Sequence, residues 1–196
     1  MKSNFERCMQ VVAKWEGGWS DHPHDNGGAT MYGITIGTLS AWRGRPVSKA
    51  EVKALTKDEA LQIYRAWYWQ PVRGDDLPAG VDLVAFDPAV NSGPSRGAKW
   101  LQAAVGVAQD GMVGPATVKA AQSADPVRTI NHACDVRLSW LRGLNDWPHF
   151  GKGWTNRVED VRAQAILMAR DQEVAKKASL PSFLRGICSK VKGEER

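Results

Sequence analysis

Trp15 to Thr35 reads WEGGWSDHPHDNGGATMYGIT, a stretch that sets one acid at a helix end against a glycine-rich polar loop. Upstream, Phe5, Cys8, Met9, Val12 and Trp15 recur at three- and four-residue steps, which predicts an amphipathic helix from about Asn4 to Glu16. Gly17 and Gly18 then stop it. Glu16 is expected in the last turn, beside the negative end of the helix dipole, with Trp15 and Trp19 close enough to shield it from water. Both surroundings favour a protonated carboxyl, as a general acid requires. Without the surrounding motif, the plain alternative is a solvated acid at a helix end.

Asp25 follows nine residues later, in the turn-forming run Asp21-His22-Pro23-His24-Asp25-Asn26-Gly27-Gly28. Thr30 and Ile34 beyond it predict a short irregular hairpin, which would fold Asp25 back over Glu16. Two carboxyl groups facing one bond, one protonated and one ionised, are the minimum equipment for cleaving a glycosidic linkage. Thr30 is placed to hold a water, or it serves only as a strand residue. Asp25 has its own alternative, capping the turn through its side chain. His22, His24 and Asp25 also raise a zinc reading. His132 and His149 supply no recognisable ligand spacing, so a polar loop lining a cleft accounts for them better, and no metal or other cofactor is expected.

The motifs E-G-G-W, D-x-G-G-A-T and Y-G-I-T, in this order, resemble glycoside hydrolase family 108, the muramidase endolysins of phages and prophages. Further stretches are similar to the peptidoglycan-binding segment that usually follows the catalytic region. These are Phe86-Asp87-Pro88-Ala89-Val90-Asn91-Ser92-Gly93, Trp100-Leu101-Gln102, Asp110-Gly111-Met112-Val113-Gly114-Pro115 and Gly153-Trp154-Thr155-Asn156-Arg157. The resemblance spans roughly residues 5 to 175. It implies that Glu16 is the catalytic glutamate and carries Asp25 and Thr30 over as the D-x-G-G aspartate and G-x-T threonine. Trp19 stands where the pattern has tyrosine, an aromatic for an aromatic. The implied fold is mostly α and lysozyme-like, with a small β-hairpin next to the catalytic helix.

The chain has 196 residues, 43% hydrophobic and 24% charged, as an ordinary globular protein has. Its formal charge of +5 suits polyanionic partners, among them bacterial walls and nucleic acids, without choosing between them. No aromatic-basic repeat or helix-turn-helix pattern supports nucleic acid, so peptidoglycan is the expected partner of a monomer. Cys8, Cys134 and Cys188 are odd in number and widely spaced, and are read as free thiols. Charges at Lys2, Glu6, Arg7 and Lys14 interrupt any secretory core, so synthesis in a reducing cytoplasm is expected, with holin-type release to the wall.

Further along, Thr35 is expected to cap a helix to Trp42, and Ser48 and Thr56 to open two more, the second ending before Pro71. Val81 to Asn91 reads as a buried helix in which Pro88 sits near the start or makes a kink. Ser92-Gly93-Pro94 is the expected joint between a catalytic segment, 1–93, and a helical peptidoglycan-binding segment, 94–178. Pro94, Pro115 and Pro126 start helices, Gly106 to Gly114 and Trp147 to Gly153 are expected loops, and Trp154 to about Lys177 a long helix. On that last helix Val158, Val161 and Ala165 face inward, with Arg157, Arg162 and Arg170 outward. The basic tail, 179–196, packs on the body or touches an anionic membrane.

Among nine tryptophans, Trp67 and Trp100 are assigned to packing, and Trp15, Trp19 and Trp69, with Tyr32, to a sugar-binding cleft. His24 joins them as a substrate contact, and Asn91 either bonds a substrate acetamido group or caps its helix. The reading that follows is hydrolysis of the β-1,4 bond between N-acetylmuramic acid and N-acetylglucosamine, with bacterial lysis as its outcome. Its rivals are a lytic transglycosylase using the same acid and a non-catalytic wall-binding or secretion-associated protein.

Overall fold

A computed structural model describes residues 4–21 and 28–179. The first helix, α1 (Phe5–Ala13), buries Phe5, Cys8, Met9, Val11 and Val12 along one face. The amides of Lys14 and Trp15 reach back only three residues, to the carbonyls of Val11 and Val12, a tightened turn that ends the helix. Glu16 therefore lies beyond α1, rather than in its last turn as expected.

The hairpin is a two-stranded antiparallel sheet of β1 (Thr30–Met31) and β2 (Ile34–Thr35), in the register Thr30 with Thr35 and Met31 with Ile34. Its two-residue turn is Tyr32-Gly33, with φ of 51° and 75°. Positive φ at both positions marks a type I′ turn, whose twist matches that of the strands. Ser20 pairs with Thr30 through two backbone hydrogen bonds of 2.9 and 2.8 Å, tying the segment after Glu16 to the hairpin.

The helices α2 (Ile36–Arg43), α3 (Lys49–Lys53) and α4 (Lys57–Tyr64) begin at the caps read from sequence. Thr35, Ser48 and Thr56 each accept from a backbone N–H three residues on, and Ser48 with Glu51 forms a complete capping box. A π-helical turn, Arg65–Trp69, follows α4. Trp69 is fully buried there, edge-on to Phe5 and Phe86 at 5.4 and 5.3 Å, with its indole N–H on Asp75. It is a core residue rather than the cleft aromatic the sequence predicts.

Helix α5 (Val81–Ser92) is buried from Val81 to Ala89 and carries Pro88 in its interior. An internal proline costs about 3 kcal/mol, and here the helix is held from several sides by α1 and by α6 (Pro94–Val105), α8 (Pro126–Arg142) and α9 (Trp147–Ser179). Gly97 lets α6 approach closely, since a Cβ there would fall 2.7 Å from the Ala85 carbonyl oxygen. Between α6 and α8 lies α7 (Pro115–Ser123), and proline opens α6, α7 and α8 as expected.

The expected loop at Trp147 to Gly153 forms the first turns of α9 instead. Ring contacts between Trp147, Phe150 and Trp154 hold those turns, and the Trp147 indole lies over Gly151, where any side chain would collide with it. Local glycine content argued for a loop, and packing along the helix overrode it. The core joins α1, the hairpin, α4, α5 and the later helices in one cluster. The architecture is mostly α and lysozyme-like. Cys8 and Cys134 are free and buried. Among the described residues no helix is long and apolar enough to cross a membrane. Cys188 and the tail beyond Ser179 lie outside the described residues.

Candidate active site

Glu16 sits on the short turn between α1 and the hairpin, its side chain 18% exposed. It borders a cleft of about 470 Å³ whose walls include Glu6, Met9 and Gln10 of α1, Tyr32 of the hairpin and Tyr64 of α4. The Tyr64 hydroxyl donates to the Tyr32 carbonyl at 2.8 Å, fastening α4 to the tip of the hairpin. Burial, and secondarily the charge of Glu16, pushes the Tyr64 hydroxyl well above its ordinary range, so it stays a neutral donor.

The hairpin tip meets the acid at Gly33. A Cβ on Gly33 would lie 2.6 Å from Glu16 Oε2 and closer still to the Tyr64 hydroxyl, and φ of 75° at this position already disfavours a side chain. Gly33→Ala is therefore expected to displace both groups and add about 1–2 kcal/mol of backbone strain. Peptidoglycan turnover should fall at least about tenfold, given the sensitivity of catalysis to 1 Å displacements. Unchanged turnover of a folded Gly33→Ala protein would show that the hairpin tip does not hold the acid.

The opposite wall is an ion-pair chain. Arg157 of α9 donates from Nη2 to Glu16 Oε1 at 2.9 Å and to Asp87 Oδ1 at 2.8 Å, with Nε reaching Asp87 Oδ1 at 3.0 Å. Asp87 of α5 is fully buried and also accepts from Arg137 of α8 at 2.5 Å. Burial works against its charge, but the two guanidinium groups more than offset this and hold its carboxyl below the usual range. Two acids and two arginines from four separate parts of the chain are thus joined in one connected network.

Arg157 was expected on the solvent face of its helix and is instead 9% exposed. Its neighbours Val158 and Val161 do point inward, and the buried Asp87 makes inward placement possible for a cation. Arg162 is also largely covered, bonding Asp135 and the Asn131 carbonyl, whereas Arg170 is exposed as expected. Asp87 did leave a sign in the sequence: a carboxylate in a largely apolar helix needs partners. Arg157 stands in the family-like stretch 153–157, which marks the residue without saying what it bonds. Arg137 and Tyr64 left no sign, since nothing local distinguishes them from surface or core residues.

The other sequence candidates are placed as follows. The Trp15 indole donates to Asp160 of α9 at 3.0 Å. Trp19 is 37% exposed, with the Lys53 ammonium 5.8 Å from its ring. Tyr32 lines the cleft, partly exposed. Thr30 spends its hydroxyl on the Gly28 carbonyl at 3.2 Å. Asn91 is exposed near the end of α5 and makes no capping bond; its Oδ1 lies 3.4 Å from Arg137 Nη2 and 3.1 Å from the Ser92 hydroxyl. It touches the ion-pair chain and is not among the residues lining the cleft. Asp25, His24 and His22 lie outside the described residues. Among the described residues no group of three or more His, Cys, Asp or Glu is arranged to hold a metal ion.

Comparison with known proteins places this geometry. No curated protein matches the chain. The solved structure of Brucella abortus SagA is similar to it, with 55% identity and a TM-score of 0.79, over 85% of this chain and 96% of that one. The profile of Glycosyl hydrolase 108 matches residues 9–93, which contain Glu16, Gly33, Tyr64 and Asp87. An acid on a turn between a helix and a glycine-tipped hairpin, this profile and that structure agree: the chain belongs to the glycosyl hydrolase 108 family.

Proposed function

We propose that this glycoside hydrolase is a muramidase, cleaving the β-1,4 bond between N-acetylmuramic acid and N-acetylglucosamine with Glu16 as the general acid. Membership of the family supports action on peptidoglycan in general. The observation that carries the finer reading is the setting of Glu16. One carboxyl oxygen is held by Arg157 at 2.9 Å, and the other lies against the hairpin tip beside the cleft. The held oxygen fixes the group, and the other is the atom assigned to carry the proton to the leaving sugar oxygen.

Asp25, which stands between Asp21 and Gly28 in the sequence, is assigned to steady the positive charge developing on the sugar or to orient water. Attack by water with inversion is the expected course. Thr30 is assigned to that water, and Trp19, Tyr32 and His24 to sugar contacts. The net charge of +5 favours approach to an anionic wall. The biological role assigned is that of an endolysin: a monomer made in the cytoplasm and released to the wall by a holin-type route.

Mass spectrometry of purified peptidoglycan digested with the protein tests this reading. Reducing N-acetylmuramic acid ends are expected. Anhydro-muramic ends would mean that the muramic 6-hydroxyl, and not water, attacks, and would replace hydrolysis by transglycosylation. Reducing N-acetylglucosamine ends would move the cleaved bond, and intact glycan would remove the enzymatic reading.

A further inference from the structure

We infer that α9 is the frame that holds the catalytic acid, and that Arg157 is the positioning residue of Glu16, so that residues 94–179 are part of the catalytic unit. The inference rests on Glu16 being the general acid.

Its starting point is how little the acid's own turn restrains Glu16, which the hairpin tip at Gly33 meets from one side. Helix α1 ends at Ala13, so the acid is carried by a turn rather than by helix geometry. Gly17 and Gly18 follow at once, each with open space where a side chain would stand, so packing there does not brace the turn. Two successive residues of this turn instead dock on α9, one helical turn apart. Trp15 donates its indole N–H to Asp160 Oδ2 at 3.0 Å, and Glu16 accepts from Arg157 at 2.9 Å. A spacing of three residues puts Arg157 and Asp160 on neighbouring positions of the same helical face.

Arg157 is itself held rigidly. Its Nε and Nη2 both bond Asp87, and Arg137 fixes Asp87 from the other side. The planar fork of an arginine can span two carboxylates in this way, whereas a lysine ammonium is a single point charge. The profile of the family reaches only residue 93, so every α9 contact to the acid comes from the part of the chain beyond it. When Glu16 gives up its proton, Arg157 also stands opposite the negative charge left behind.

The test compares wild type, Arg157→Lys and Trp15→Phe in the full chain on soluble glycan strands, reading kcat and KM separately, with melting temperature as the control for folding. Arg157→Lys keeps a cation beside Asp87 but loses the second arm. Its kcat is expected to fall about 10- to 100-fold with KM within about twofold, the sign of a misplaced reacting group. Trp15→Phe keeps an aromatic side chain, though a smaller one, and loses the N–H to Asp160; kcat should fall severalfold, again without a rise in KM. This second variant decides the matter if Arg157→Lys fails to fold. Unchanged kcat in folded Arg157→Lys, a loss confined to KM, or a loss matched by the unfolded fraction would overturn the positioning role while leaving the muramidase reading standing. A wild type without turnover would overturn both.

Discussion

Glu16→Gln is expected to lower peptidoglycan turnover by about 10²–10⁴-fold, the contribution usual for a general acid, while leaving the fold and wall binding intact. The amide is isosteric with the carboxyl and its oxygen still accepts from Arg157 Nη2, whose other partner, Asp87, remains. Only the transferable proton is lost. Gly33 presses on Oε2 and admits no larger group, so glutamine is also the replacement that disturbs the turn least. Loss of turbidity of purified peptidoglycan measures the activity, and a pull-down on intact wall measures binding. Equal clearing by wild type and Glu16→Gln would end the assignment of Glu16 as the acid. Loss of both clearing and binding would show that Glu16 holds substrate rather than protonating it.

Asp87→Asn is the substitution expected to cost most in stability. It takes one charge from between Arg137 and Arg157, which are 4% and 9% exposed, and leaves Arg137 without its carboxylate and Arg157 with Glu16 alone. Breaking a buried pair in this way costs about 3–5 kcal/mol, a large share of the roughly 5–15 kcal/mol that holds a domain together. At about 2–4 °C per kcal/mol for a chain of this size, the melting temperature should drop by about 10 °C. Turnover should fall with it even where the protein remains folded, because Arg157 loses the anchor that aims it at Glu16.

The pH dependence of stability has a definite sign. The arginines hold the Asp87 carboxyl below the ordinary range. Its stabilisation is therefore present above the unfolded-state value and is lost as the pH falls through the folded-state value. Wild type should lose more stability across that acid window than Asp87→Asn, which lacks this one contribution, so melting curves taken across the window for both proteins check the account. Parallel curves would mean that Asp87 makes no special contribution.

Much of the architecture was legible in local patterns. Thr35, Ser48, Thr56 and Asp125 cap helices by bonding backbone N–H groups within one turn, a short-range interaction visible wherever the residue stands before a helical pattern. Tyr32-Gly33 makes a hairpin because two positive φ values are needed between paired strands, and glycine meets one of them without cost. Errors appeared where a distant partner decided the outcome. Trp147 to Gly153 reads as loop by composition and is helix because three aromatic rings stack along it. Trp69 reads as a cleft aromatic and is core because Phe5 and Phe86 close around it from other helices.

The site divides along the same line. The sequence alone determined that an amphipathic helix ends near Glu16, that a short hairpin comes next, and that the motifs resemble those of a family of glycoside hydrolases. Those are relations between residues within about one or two turns of one another, set by propensity and hydrogen bonds at short range. Only the tertiary structure decided what holds the acid. Arg157 stands 141 positions from Glu16, and Asp87 70 from Arg157. A charged residue on an amphipathic helix faces solvent unless a buried opposite charge repays its desolvation, and whether that partner exists depends on how α5, α8 and α9 pack.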